Sequence, residues 1–126
     1  MQNTSNHILV VDDDPDIGLM IKTMLEYHGY SVVVTDRPEK AEELLASRHF
    51  DLLVMDMLLS GMNGMDICAR LKKNETLSHV PVIMISAHPN AREICVNAGA
   101  DDFVSKPFDM EEMLAKIAQF AQPVVK

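Results

Sequence analysis

A chain of 126 residues, 48% of them hydrophobic, has the length of one ordinary domain and enough apolar material for a core without staples. Its net charge of −8 argues against direct nucleic-acid binding, because phosphate backbones are held by clustered Lys and Arg. The start, Met1–Asn6, lacks the basic and apolar regions of a secretion signal, and no apolar stretch approaches the ~18 residues of a membrane span. A cytoplasmic protein without membrane contact is therefore expected.

Short apolar runs alternate with helical patterns five times along the chain. Ile8–Val11 is continuously apolar, as in a strand covered on both faces. Ile17, Met20, Ile21, Met24 and Leu25 then follow the i, i+3, i+4 spacing of a helix. Asp14 and Pro15 look like its N-cap and first residue, Asp16 falls in its first turn, and Gly29 is a plausible stop. Val32–Thr35 predicts a second strand. Ala41, Leu44 and Leu45 mark a second helix beginning near Pro38, Leu52–Met55 a third strand, and Ile67 and Leu71 a third helix, whose end carries Arg70, Lys72 and Lys73 where cations suit the dipole. Val82–Ile85 predicts the fourth strand. Ile94 and Ala98 mark a short fourth helix before Gly99, and Phe103–Val104 a brief fifth strand. The fifth helix is regular, with Met110, Met113, Leu114, Ile117, Ala118 and Ala121 on one stripe and Asp109 as N-cap. Such alternation favours an α/β fold with a parallel sheet and helices on both faces. The expected unit is a single domain over residues 5–122, with residues 1–4 and 123–126 as loose termini.

Several residue types read as structural. Cys68 and Cys95 lie in helical stretches without a CxxC pair and are expected as buried thiols. Met20, Met24, Met110 and Met113 are expected to fill the core. The five histidines form no i, i+4 pair and suggest no metal site. Asp51, Asp66 and the pair Asp101–Asp102 are assigned to solvated turns or helix starts.

In open parallel sheets the ligand crevice lies at the carboxyl ends of the strands. The first strand ends in Asp12 and Asp13, the third in Asp56, the fourth in Ser86, and Lys106 closely follows the fifth. Thr35 and Asp36, ending the second, lie too far to one side. Three carboxylates brought together repel one another unless a cation joins them, and Mg²⁺ with retained waters suits a site of few oxygen ligands. Lys106 supplies a point charge for a phosphate oxygen and Ser86 a hydrogen bond to another. The set points to phosphoryl transfer onto a carboxylate nucleophile, Asp56.

The segments ILVVDDDPDI (8–17), DLLVMDMLLSGMNGMDI (51–67), VPVIMISAH (80–88) and GADDFVSKPF (99–108) together resemble the receiver domain of two-component response regulators, over roughly Ile8 to Phe120. The resemblance implies a flavodoxin-like, doubly wound five-stranded parallel sheet of order 2-1-3-4-5. It places the phosphoacceptor on Asp56, direct Mg²⁺ ligation on Asp13, Asp56 and the backbone carbonyl of Leu58, and ligation through water on Asp12. It makes Ser86 and Phe103 the switch pair, Lys106 the phosphate-binding lysine, Ala87 the small residue that leaves the acceptor accessible, and Lys106–Pro107 a cis peptide. It implies a phosphoryl donor that is a histidine kinase or phosphotransfer protein, and a downstream protein target that the sequence does not identify. A monomer or weak dimer is expected, and no catalysis beyond the protein's own phosphorylation and dephosphorylation.

Three departures stand out. Ser60 replaces a common proline, which leaves the loop Met57–Gly64 less restricted. Ser86 and Lys106 are closer in sequence than in many members, so the fourth helix, starting near Asn90 after Pro89, is expected to be short or shifted. Phe103 lacks the hydroxyl of the common tyrosine, and Leu58 and His88 flank the acceptor at positions that modulate hydrolysis in this family.

Competing readings are a receiver-like binding module working without phosphorylation, the receiver fragment of a hybrid histidine kinase, and a phosphatase of the haloacid dehalogenase type. The last needs a second Asp two positions after the nucleophile, where this chain has Leu58. A flavodoxin is disfavoured because acids, not a phosphate-cradling loop, follow the first strand.

Overall fold

A computed structural model of the chain describes residues 6–59, 62–87, 90–107 and 109–121. Ser60, His88 and Pro89 lie outside them. The long elements alternate: β1 (His7–Val11), α1 (Pro15–Tyr27), β2 (Ser31–Thr35), α2 (Lys40–Ser47) and β3 (Leu52–Asp56). A pair of two-residue strands follows, β4 (Leu58–Leu59) and β5 (Met62–Asn63), then α3 (Gly64–Lys73), β6 (Val82–Ser86), α4 (Ala91–Asn97), β7 (Asp102–Ser105) and α5 (Met110–Ala118). The five long strands form one parallel sheet in the order β2-β1-β3-β6-β7, the expected 2-1-3-4-5 arrangement.

Side chains alternate across this sheet, so two cores form. Leu9, Val11, Leu53, Met55, Val82, Met84 and Phe103 face α2, α3 and α4. Ile8, Val10, Leu52, Val54, Ile83, Ile85 and Val104 face α1 and α5. Coverage on both sides is the reason the inner strands read as unbroken apolar runs. Each fully buried aliphatic side chain contributes roughly 1.5–3 kcal/mol.

Helix ends follow local chemistry. Asp14 caps α1 by accepting from the amides of Asp16 and Ile17, and Asp109 caps α5 in the same way through Glu111 and Glu112. Gly29 and Gly99, at φ 94° and 99°, reverse the chain just past the C-caps of α1 and α4. The fourth helix has 7 residues and starts after Asn90, as the short interval predicts. The buried Tyr30 hydroxyl donates to the Ala121 carbonyl at 3.0 Å and pins the end of α5 beside the start of β2.

Two expectations need correction. Met20 and Met110 are not core filler: they are 42% and 44% exposed, whereas Met24 and Met113 are buried. The stripe on α1 is wider than the face its neighbours cover, and Met110 opens α5 at its uncovered end. Asp51 and Asp101 sit in bends, Asp101 exposed as expected, whereas the Asp51 side chain is only 12% exposed. Asp51 accepts from the His7 amide at 2.9 Å and Asp101 from the Val82 amide at 2.8 Å, and Asp102 is the first residue of β7. The β4–β5 pair was not anticipated at all.

Candidate functional site

Strand register assembles the candidate residues. Val11 pairs with Met55 and Asp56 with Ile85, which sets Asp12 beside Asp56 and Ser86 just beyond it. Ser86 pairs with Ser105, and the Lys106 amide donates to the Ser86 carbonyl at 2.8 Å, bringing Lys106 to the same rim. Carboxylate oxygens of Asp12, Asp13 and Asp56 lie within 4.8 Å of one another. The Lys106 ammonium donates to Asp56 Oδ2 at 2.7 Å. The Lys106–Pro107 peptide is cis. Asp36 is not part of the cluster.

The environment of these acids is unusual. Asp12 is 1% exposed and Asp56 8%. Asp12 Oδ1 accepts from the Asp14 amide at 2.9 Å, while its Oδ2 is buried without a partner. Burial pushes the Asp12 carboxyl above its ordinary range, and the charges of Asp56 and Asp13 push the same way against the Asp14 amide and Lys106. A buried, unpartnered carboxylate oxygen is costly unless a cation meets it. Hard oxygen donors around such an atom fit Mg²⁺.

The stretch after Asp56 is closed on itself. The Met57 amide donates to the Ile85 carbonyl at 2.8 Å, and the Met57 carbonyl accepts from the Gly64 amide at 2.9 Å. Between them Leu58 pairs with Asn63 and Leu59 with Met62 in an antiparallel hairpin. The Asn63 side chain caps α3 through the Met65 amide at 2.8 Å. Leu58, whose carbonyl is expected to ligate metal, is thus the first residue of a paired strand. Asn63 and Gly64 were not singled out in the sequence, although an Asn-Gly step before a helical pattern is a usable signal for a cap or turn.

Ser86 is buried and Ala87 beside it is exposed. Phe103 is 8% exposed and belongs to the core that also holds Met57, Ala91 and Cys95. The ring of this expected switch residue lies inside the core. Cys95 Sγ lies 3.7 Å from Met57 Sδ, joining α4 to the residue after Asp56. Cys68 and Cys95 are buried free thiols, and burial pushes the Cys95 thiol up to about 11. On the α1 side, Leu19, Met20, Tyr27 and Met110 line an open apolar groove of about 700 Å³, with Asp16 at its border.

Comparison with known proteins agrees with this geometry. The response regulator receiver domain family matches residues 8–118. The chain is 36% identical over 112 residues to the DNA-binding dual master transcriptional regulator RpaA of Synechocystis, covering 87% of this chain and 46% of that protein. It is 34% identical over 119 residues to the DNA-binding response regulator MtrA of Mycolicibacterium smegmatis, covering 93% of this chain and 51% of that protein. The chain thus spans about half the length of the curated relatives it matches. Among solved structures, a response regulator of Chloroflexus aurantiacus superposes with a TM-score of 0.86 at 27% identity, covering 91% and 96% of the two chains. The receiver domain of a sensor histidine kinase from Pseudomonas aeruginosa, with magnesium coordinated in its active-site cleft, superposes at 0.83 and 27% identity, covering 91% and 96%. Among the described residues, no helix is long and apolar enough to cross a membrane.

Proposed function

The chain belongs to the response regulator receiver domain family, and from that premise we propose that it takes a phosphoryl group onto Asp56 and transmits the change to a protein target. The observation that carries this reading is the Asp56–Lys106 pair at 2.7 Å beside the buried, unpartnered oxygen of Asp12. It combines a nucleophile, a fixed positive charge and a metal-ligating donor set at one strand end.

In this reading an Asp56 carboxylate oxygen attacks the phosphorus of a phosphohistidine. A new P–O bond forms as the P–N bond breaks, and the departing imidazole keeps the electron pair and takes up a proton. Lys106 orients one phosphoryl oxygen and offsets its charge, and Ser86 donates to another. Asp12, Asp13, Asp56 and the Leu58 carbonyl would hold Mg²⁺. Bound there, Mg²⁺ supplies neutralisation of the charge that gathers on the transferring group. Hydrolysis of the aspartyl phosphate by the same residues resets the protein. Phe103 reports the state of Ser86 by packing alone, and holding the ring inward, rather than driving it there, is its role.

The donor is a histidine kinase or phosphotransfer protein, and the apolar groove of Leu19, Met20, Tyr27 and Met110 suits an apolar helix face of such a donor. We assign residues 5–122 to the receiver unit, acting in the cytoplasm as a monomer or weak dimer and making no nucleic-acid contact of its own. The curated relatives named as DNA-binding are about twice as long as this chain.

Incubation with acetyl phosphate and Mg²⁺ tests the proposal by intact-mass spectrometry. The wild type gains one phosphoryl group and Asp56→Asn gains none. Full labelling of Asp56→Asn would sink the assignment.

A further inference from the structure

The junction between β3 and α3 leaves no room for a side chain at residue 64. A Cβ on Gly64 would lie 2.5 Å from the Asp56 carbonyl oxygen, 2.9 Å from the Met57 carbonyl oxygen and 3.1 Å from Met84 Cε. The first two contacts are backbone, which cannot swing aside as the end of a flexible side chain can. Gly64 has no positive φ, so the restriction is one of space and not of backbone conformation. Its amide also donates to the Met57 carbonyl at 2.9 Å, which closes the base of the β4–β5 hairpin. The helix start and the acceptor strand therefore touch backbone to backbone, at the residue that bears the acceptor carboxylate.

We infer that Gly64 is a positioning residue for the phosphoryl-transfer site, setting through this contact the height of Asp56 and the presentation of the Leu58 carbonyl. The inference rests on the reading of Asp56 as acceptor and deepens it. Any larger residue forces the Asp56 and Met57 carbonyls and the helix start apart, displacing the carboxylate and the metal-facing backbone together.

The test compares Gly64→Ala with Leu71→Ala, which loosens the packing of the same helix farther from the site; Leu71 is 2% exposed. Mg²⁺ affinity is read by calorimetry, labelling by acetyl phosphate at saturating Mg²⁺, and thermal midpoint by circular dichroism. Gly64→Ala is expected to weaken Mg²⁺ binding and slow labelling each by about tenfold, the loss that misplaced ligands and reacting groups bring. Leu71→Ala is expected to lower the thermal midpoint and leave Mg²⁺ affinity unchanged. Equal losses of Mg²⁺ affinity in both variants would reduce Gly64 to a structural residue and overturn the inference. Should Gly64→Ala not fold, hydrogen exchange at the Gly64 amide of the wild type decides: Mg²⁺ slows it severalfold if the clasp and the site are linked, and unchanged exchange overturns the link. Failure of the acceptor reading is distinguishable, because the wild type itself then goes unlabelled.

Discussion

The two ends of the central sheet use the same residue type for opposite purposes. At the amino-terminal edge, Asp51 and Asp101 each receive a strand amide and also face a basic side chain, His49 at 2.7 Å and Lys72 at 2.8 Å. These acids tie the turns before β3 and β7 to the first residues of β1 and β6. At the carboxyl-terminal edge, Asp12, Asp13 and Asp56 face one another, with Lys106 on Asp56 and one Asp12 oxygen buried without a partner. An aspartate beside a strand is therefore uninformative by type. What separates scaffold from chemistry is the neighbour it meets: a strand amide and a basic group at one end, other carboxylates at the other.

The largest expected break in this comparison comes from Asp101→Ala. It strips an acceptor from the part-buried Val82 amide and an ion-pair partner from Lys72. A loss of about 2 kcal/mol in unfolding free energy is expected, mostly from the orphaned amide. Urea denaturation measures it, and Mg²⁺ affinity is expected to stay unchanged. A parallel fall in Mg²⁺ affinity would show that the two edges are not independent.

Asp12→Asn sharpens the comparison from the other side. Without Mg²⁺ the substitution removes a desolvated, repelled charge and is expected to raise stability by about 1 kcal/mol. The stabilisation that Mg²⁺ gives the wild type is expected to shrink in the same variant, as the gap between melting curves with and without the ion. A destabilised metal-free variant would mean that the Asp12 carboxylate is already satisfied.

The smallest effect near neutral pH concerns the interior between the edges. Burial holds the Cys95 thiol at about 11 against an ordinary 9.0, so the folded protein keeps a proton that the unfolded chain gives up first. Its contribution is constant below pH 9 and falls as pH rises from there toward 11. Denaturation midpoints of wild type and Cys95→Ala, compared at pH 8 and pH 10, are expected to converge or cross as alkali is added. A difference independent of pH would count against a buried thiol.

Much of this was legible in the sequence, for reasons tied to particular residues. Strands buried on both faces leave unbroken apolar runs, so Leu52–Met55 and Val82–Ile85 announced themselves, and the residues ending them marked the rim. Asp14 and Asp109 were readable as caps because capping is local. What failed was non-local. Periodicity gives the apolar stripe of α1 but not how much of it a neighbour covers, which is where Met20 went wrong. Two-residue strands have no period, so the β4–β5 hairpin left no trace. The partners of Asp51 and Asp101 include strand amides supplied by folding. Gly64 matters through two carbonyl oxygens brought against it from residues seven and eight places earlier.

The hydrogen bond from Tyr30 to Ala121 has a practical corollary. The chain has two tyrosines and no tryptophan, and the other, Tyr27, is 84% exposed on the apolar groove. Intrinsic ultraviolet emission therefore comes from two phenols in contrasting settings. A water-borne quencher reaches Tyr27 and not Tyr30, so shielding of the quenchable fraction signals occupancy of the groove. Change in the protected fraction signals release of α5 from β2. Both events can be followed optically without attaching a dye.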